Sequence, residues 1–300
     1  MLICPVRGYG KMTRKFNKIA LITNDSSDGI KDTLQTVVNF LQAREIDIVL
    51  DKYCCNLLPG TNLEAGSAQD LARDCDLGIA IGGDGTMLRA AHLLADKNVP
   101  LLGINRGRLG FLADIPSETV EDQLEQILNG KYVEDERFQL HCQVDRGDKT
   151  IVESDAFNDV VIQKWNIAKL IELTTYVDSK LVNSQRSDGM IIASPTGSTA
   201  YALSGGGPIL YPSLDALVLV PICPHTMSYR PIVIQGNSMV EVVIGTPEID
   251  HARLTCDGEI KSELATGDRV IIRKKDQKIR LIHPANHDHF SILRAKLQWG

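Results

Sequence analysis

No uninterrupted apolar stretch in this 300-residue chain is long enough to cross a bilayer as a helix. The first residues, MLICPVRGYGKMTRKF, lack the apolar core and small-residue cleavage site of a secretory signal. A basic excess is missing too. The chain carries 32 Lys and Arg against 38 Asp and Glu, for a net charge of −6. That balance excludes a general nucleic-acid binder and a protein drawn to anionic membranes, since both need a basic face. No Cys-x-x-Cys pair occurs, and the cysteines number seven, an odd count. Cys4, Cys54, Cys55, Cys75, Cys142, Cys223 and Cys256 are therefore expected to be free thiols in a reducing cytoplasm. His283, His287 and His289 lack Cys or carboxylate partners at metal-ligand spacing, so no metal-ligating residue is expected. Repeats and low-complexity segments are absent as well.

What is present is a large apolar fraction, 43%, enough for two domains or one large one. Met12 is a second candidate start, which would leave residues 1–11 as an unstructured extension, a short ordered arm being the other reading; a chain starting at Met12 is expected to keep its activity. In the first half, strand-like and helix-like runs alternate. NKIALITN (17–24), IDIVLD (46–51), LGIAI (77–81) and VPLLGIN (99–105) read as buried strands. Ile30, Leu34, Val37, Val38 and Leu41 fall on one helical face between the first two. SAQDLARDC has the pattern of a short helix. Ser117 is expected to cap a helix with Val120, Leu124, Ile127 and Leu128 on one face, stopped by Asn129-Gly130. Such alternation predicts βαβ units: an α/β N-terminal domain, residues 1–135, with a parallel sheet and flanking helices.

The pattern changes near residue 135. FQLHCQV (138–144) alternates strictly, and further strand-like runs follow with few helical ones between them. Residues 136–282 are expected to form an all-β, sandwich-like C-terminal domain. The tail, 283–300, is more helix-like and is expected to pack back on the first domain.

Two glycine-dense runs stand out. The first is Gly82-Gly83-Asp84-Gly85-Thr86, between an apolar strand and a helix. Glycines let a backbone approach a ligand closely, and a strand–turn–helix junction makes an anion site. The lysine of a Walker A loop is missing, as is the Gly-x-Gly-x-x-Gly of a Rossmann turn. Gly82, Gly83, Gly85 and Thr86 remain as a phosphate loop, with Asp84 placed where a phosphate would be repelled. The second run is QRSDGMIIASPTGSTAYALSGGGPIL (185–210). Its hydroxyls offer donors and acceptors around a small ligand, and Tyr201 can stack on a flat ring. Asn158-Asp159, just before the strand VVIQ, can read an adenine edge or ribose hydroxyls. Each of these also has a plain structural reading as a turn or cap.

These stretches, with GRLGFL (107–112) and PHTMSYRPIVI (224–234), resemble the NAD kinase family across residues 81–234. The GGDGT loop occurs in lipid and sugar kinases too; the long TGSTAYALS run behind it is specific. The resemblance implies an α/β domain and a β-sandwich with the ligand between them. It implies phosphorylation of NAD to NADP with ATP as donor, a divalent metal ion such as Mg2+, and a homodimer or homotetramer in the cytoplasm. By the same resemblance Asp84 is the general base. Asp84, Gly85, Asn158, Asp159, Lys169, Arg186, Asp188, Thr196, Gly197, Ser198, Thr199, Ala200, Tyr201 and Glu259 are implied substrate contacts. Asp159 stands where the family commonly has Glu, and Glu259 where it can have Gln.

Overall fold

The computed structural model describes residues 16–24, 28–107, 109–165, 169–226, 228–245 and 252–299. The alternative start at Met12 lies outside them, as do Arg108 and Met227 of the two shorter matching stretches. The chain forms two compact units, Met1–Asp135 with Arg280–Gly300, and Glu136–Ile279.

The first unit opens with β1 (Lys18–Ile22), α1 (Asp28–Gln42), β2 (Asp47–Leu50), α2 (Lys52–Leu57), β3 (Glu64–Ala65), α3 (Ala68–Asp74), β4 (Leu77–Ile81) and α4 (Asp84–Leu94). It continues with β5 (Leu101–Asn105), β6 (Ile115–Pro116) and α5 (Val120–Leu128). The strands β3-β2-β1-β4-β5 pair in parallel in that order. All five residues of β4 and of β5 are buried, as continuous apolar runs in a doubly covered parallel sheet should be. The α1 residues Ile30, Leu34, Val37, Val38 and Leu41 pack with Leu124 and Ile127 of α5 on that sheet. Ser67 and Asp70 form a capping box that starts α3. One capping expectation fails. Ser117 opens a 3₁₀ turn, Ser117–Thr119, and α5 begins at Val120 without a side-chain cap. The chain leaves β6 through Pro116, and the short turn rather than a hydroxyl sets the helix direction. The Asn-Gly stop holds: Gly130 takes φ 79° and its N–H donates to the Ile127 carbonyl.

The second unit is antiparallel. Its strands are β7 (Tyr132–Arg146), β8 (Lys149–Ala156), β9 (Asp159–Lys164), β10 (Ile171–Val177), β11 (Lys180–Ser187) and β12 (Gly189–Ala193). After one short helical turn, α6 (Tyr201–Ser204), come β13 (Ala216–Ile222), β14 (Ile232–Gln235), β15 (Val240–Ile244), β16 (Ala252–Cys256), β17 (Glu259–Leu264) and β18 (Arg269–Pro284). One sheet runs β14-β13-β12-β9-β16-β17. Facing it are β11-β10-β15-β18, with β7 on β18 and β8 on β7. Leu173, Val242 and Ile272 of one layer meet Ile162, Met190 and Leu219 of the other in a shared apolar core, so this unit is a sandwich. The end of β18 belongs to the first unit, where Leu281 and Ile282 pair in parallel with Leu101 and Leu102. The final helix, α7 (His289–Leu297), is capped by Asp288 and belongs to the same unit. Among the described residues no helix is long and apolar enough to cross a membrane.

Candidate functional site

The glycine turn lies where strand β4 ends. Gly82 holds φ 152°, and a Cβ there would sit 2.2 Å from the Thr86 hydroxyl. Gly83 is the N-cap of α4, and Asp84 is its first helical residue. Gly85 follows, and Thr86 donates its hydroxyl to the Asn24 side chain. The first N–H groups of a helix have no partner within it, so this turn offers donors to an anion.

Asp84 does not cap its own helix. Its carboxylate reaches the loop after Gly110. The N–H of Phe111 donates to Oδ2 at 2.9 Å, and the N–H groups of Leu112 and Ala113 donate to Oδ1 at 2.9 and 3.3 Å. Gly110 makes room, since a Cβ there would lie 2.2 Å from Asp84 Oδ1. A carboxylate has about four acceptor positions. Three backbone donors leave roughly one, directed by the other three.

In the second unit a cavity of about 420 Å³ is lined by Asn158, Asp159, Ala200, Tyr201, Arg253, Asp257, Gly258 and Ile260, among others. Asp257 builds its floor. The carboxylate accepts the N–H groups of Phe157 and Asn158, both at 2.7 Å, and of Asp159 at 3.1 Å. Asp159 is buried beside it. Burial and the Asp257 charge push its carboxyl up to about 7, against a smaller opposing effect of the Tyr201 N–H. Near neutral pH such a group donates as well as accepts, which suits an adenine edge or a ribose hydroxyl. Tyr201 is partly exposed at the same cavity, its ring available for stacking.

That raised carboxyl makes stability pH-dependent. Unfolded, Asp159 titrates near 3.8; folded, it keeps its proton to about 7. Its stabilising contribution is complete below the lower value and is lost as pH rises through the upper one. Asp159→Asn cannot ionise. It is expected to gain stability relative to the parent chain as pH rises from about 4 to about 7, with the gap level above that. Urea unfolding of both proteins across that window measures the gap. A gap that stays constant would show that Asp159 holds no proton.

The remaining hydroxyls of the run have partners within the chain. Thr196 accepts from Arg137 at 3.3 Å, Ser198 donates to the Pro195 carbonyl at 2.6 Å, and Thr199 donates to the Thr196 carbonyl at 3.1 Å. Gly197 passes close to Asn158, whose carbonyl oxygen would lie 2.1 Å from a Cβ. The run thus shapes the cavity, while Ala200 and Tyr201 line it. Arg186 and Asp188 sit at the β11–β12 corner, where Lys164 pairs with Asp188 at 2.6 Å. Lys169 is exposed, and Glu259 pairs with Lys261 at 2.8 Å. None of these four lines the cavity. Sequence reasoning missed Asp257, Arg253 and Gly110. The Asp257-Gly258 pair before β17 was the available signal, since Asp257 holds φ 49° and Gly258 φ 81° in a tight turn.

Models of the ATP-NAD kinase N-terminal domain and C-terminal domain match residues 19–132 and 157–284. An NAD kinase of Nitrosococcus oceani is 45% identical over 96% of this chain and 99% of its own length. One from Hahella chejuensis is 46% identical over 95% of this chain and 97% of its own. Among solved structures, yeast NADH kinase complexed with NADH superposes with a TM-score of 0.87 at 22% identity, covering 95% of this chain and 88% of that one. An NAD kinase from Archaeoglobus fulgidus in complex with ATP gives 0.73 at 25% identity, covering 93% and 99%. With both domain models matched in order and relatives of this identity along nearly the whole chain, the protein belongs to the ATP-NAD kinase family.

Proposed function

We propose that Asp84 is the general base with which this chain, an ATP-dependent NAD kinase, moves the γ-phosphoryl group of ATP onto the 2′-hydroxyl of NAD's adenosine ribose. The supporting observation is the fixed carboxylate of Asp84, held by three backbone N–H groups at the head of a glycine turn. An alcohol is a poor nucleophile until its proton has somewhere to go. The remaining acceptor position of Asp84 orients the hydroxyl and takes that proton. The ribose oxygen bonds to the γ-phosphorus as the bond to the β-bridging oxygen breaks, and ADP leaves. In a loose transition state proton loss comes late, so positioning carries much of the rate. The turn's N–H groups offset charge on the phosphoryl oxygens.

Asn158, Asp159 and Tyr201 hold NAD in this reading, with Ala200 at the cavity wall. Gly82, Gly83, Gly85 and Thr86 form the phosphate turn. The magnesium ion enters on ATP as part of the donor. The residues around Asp84 do not make a cage for it. Among the described residues, His, Cys, Asp and Glu ligand atoms gather in threes only at Asp114, His283 and His287. Lys169, Arg186, Asp188 and Glu259 keep a role in recognising NAD by family resemblance alone. A homodimer or homotetramer and a cytoplasmic location belong to the same reading, supported by family membership.

The test is the product. Incubation with MgATP and NAD, followed by phosphorus NMR of the dinucleotide, is expected to show one new monoester at the adenosine 2′ position. A 3′-monoester, or phosphate on the nicotinamide ribose, would overturn the assigned acceptor.

A further inference from the structure

His283 and His287 find their carboxylate far away in sequence. Asp114, just before β6, accepts from His283 Nδ1 at 2.9 Å and from His287 Nδ1 at 2.7 Å, both on the same oxygen, Oδ2. The two rings stack with centroids 4.0 Å apart and planes 25° from parallel, so the same nitrogen of each ring converges on one point. All three residues belong to the first unit. His283 is 1% exposed, and the Asp114 and His287 side chains are 6% and 14% exposed.

As a purely hydrogen-bonded cluster this is lopsided. Oδ2 takes two donors while Asp114 Oδ1, equally buried, has no partner, and neither has His283 Nε2. Buried polar atoms without partners are uncommon and ask for a reason. Burial alone would push the Asp114 carboxyl up, yet the two imidazoles outweigh it and hold it below the usual carboxylate range.

The three ligand atoms are gathered closely enough for one ion. All lie within 4.8 Å of one another, with Nδ1 to Oδ2 distances of 2.9 and 2.7 Å. Ligands bound tetrahedrally at about 2.0 Å lie about 3.3 Å apart, so the two hydrogen-bonded edges open by about half an ångström when an ion replaces their protons. Two imidazole nitrogens with one carboxylate oxygen suit borderline first-row ions and not Mg2+ or Ca2+, which take oxygen. We propose that Asp114, His283 and His287 form a binding site for one divalent first-row transition ion of the Zn2+ type, held by Asp114 and the two Nδ1 atoms. On binding, each neutral ring carries its proton on Nε2, and Asp114 Oδ1 can turn to the ion as a further ligand. The Nε2 of His283 has no protein partner for that proton, so affinity is expected to be micromolar rather than nanomolar. The ion ties the tail before α7 to residue 114. The neighbouring Ala113 N–H bonds Asp84, so the same ion stiffens one wall of the Asp84 loop.

The experiment uses the full chain stripped with a chelator. Titration with Co2+ is expected to give one visible d–d absorption per chain, displaced by Zn2+. Zn2+ should raise the melting temperature of the stripped protein. His287→Gln, at the least buried ligand, should weaken binding about a hundredfold and abolish the temperature rise. Asp114→Asn, which conserves volume, is the second comparison. Cys223→Ser removes an exposed thiol and should change nothing. The proposal is overturned if the parent chain shows no Co2+ band, or if either ligand variant binds as well as the parent. NAD phosphorylation is not the readout, so failure here leaves the role of Asp84 standing.

Discussion

Asp84→Asn is expected to lower turnover by at least about a hundredfold while changing the NAD dissociation constant far less. Removing a general base typically costs about 10² to 10⁴ in rate. The geometry adds a second loss. Oδ1 and Oδ2 both accept backbone donors, so an amide at this position must turn its NH2 toward either Phe111 or the Leu112–Ala113 pair. One or two of those N–H groups then face a donor, and the last acceptor position is no longer aimed where it was. The contacts proposed to hold NAD, around Asn158, Asp159 and Tyr201, are untouched, which is why affinity should persist. Turnover and a direct NAD titration on the same preparation make the measurement. Near-normal turnover would reduce Asp84 to a turn residue, and Asp188 would be the next carboxylate to examine. Lost NAD binding in a folded protein would make it a ribose anchor instead.

An NAD analogue with a 2′-deoxyadenosine ribose is expected to bind and accept no phosphoryl group. The reacting oxygen is gone, while the adenine edge, the other hydroxyls and the ring face remain for Asn158, Asp159 and Tyr201. NADP should compete for the same cavity as product. Calorimetry measures binding, and release of ADP coupled to dinucleotide phosphate measures transfer. Phosphate found on the deoxy analogue would mean that another hydroxyl is the acceptor, and the role given to Asp84 would fall with it.

Much of the architecture was legible in consecutive residues. The parallel sheet announced itself through short continuous apolar runs such as LGIAI and LLGIN, each separated by a helical pattern. The antiparallel half announced itself through alternation, as in Phe138 to Val144. The glycine turn was legible for the same reason, because a strand, a tight turn and a helix start are all local. The hydroxyl-rich run was legible only as a row of donors and acceptors. Thr196, Ser198 and Thr199 bond backbone and Arg137, partners that the run itself does not name. A hydroxyl's residue type says that it will find a partner and not which one.

The sequence by itself determined two fold classes, a glycine turn holding a carboxylate, and the family to which the chain belongs. Tertiary structure decided which groups each carboxylate meets. Asp84 is gripped by N–H groups 27 to 29 residues downstream. Asp257 grips N–H groups 98 to 100 residues upstream. Asp114 meets imidazoles 169 and 173 residues away. Periodicity and turn chemistry are properties of neighbours along the chain, so composition and order carry them. Which backbone donors and rings come within hydrogen-bond reach of an acid depends on how distant segments pack, and no local pattern encodes it.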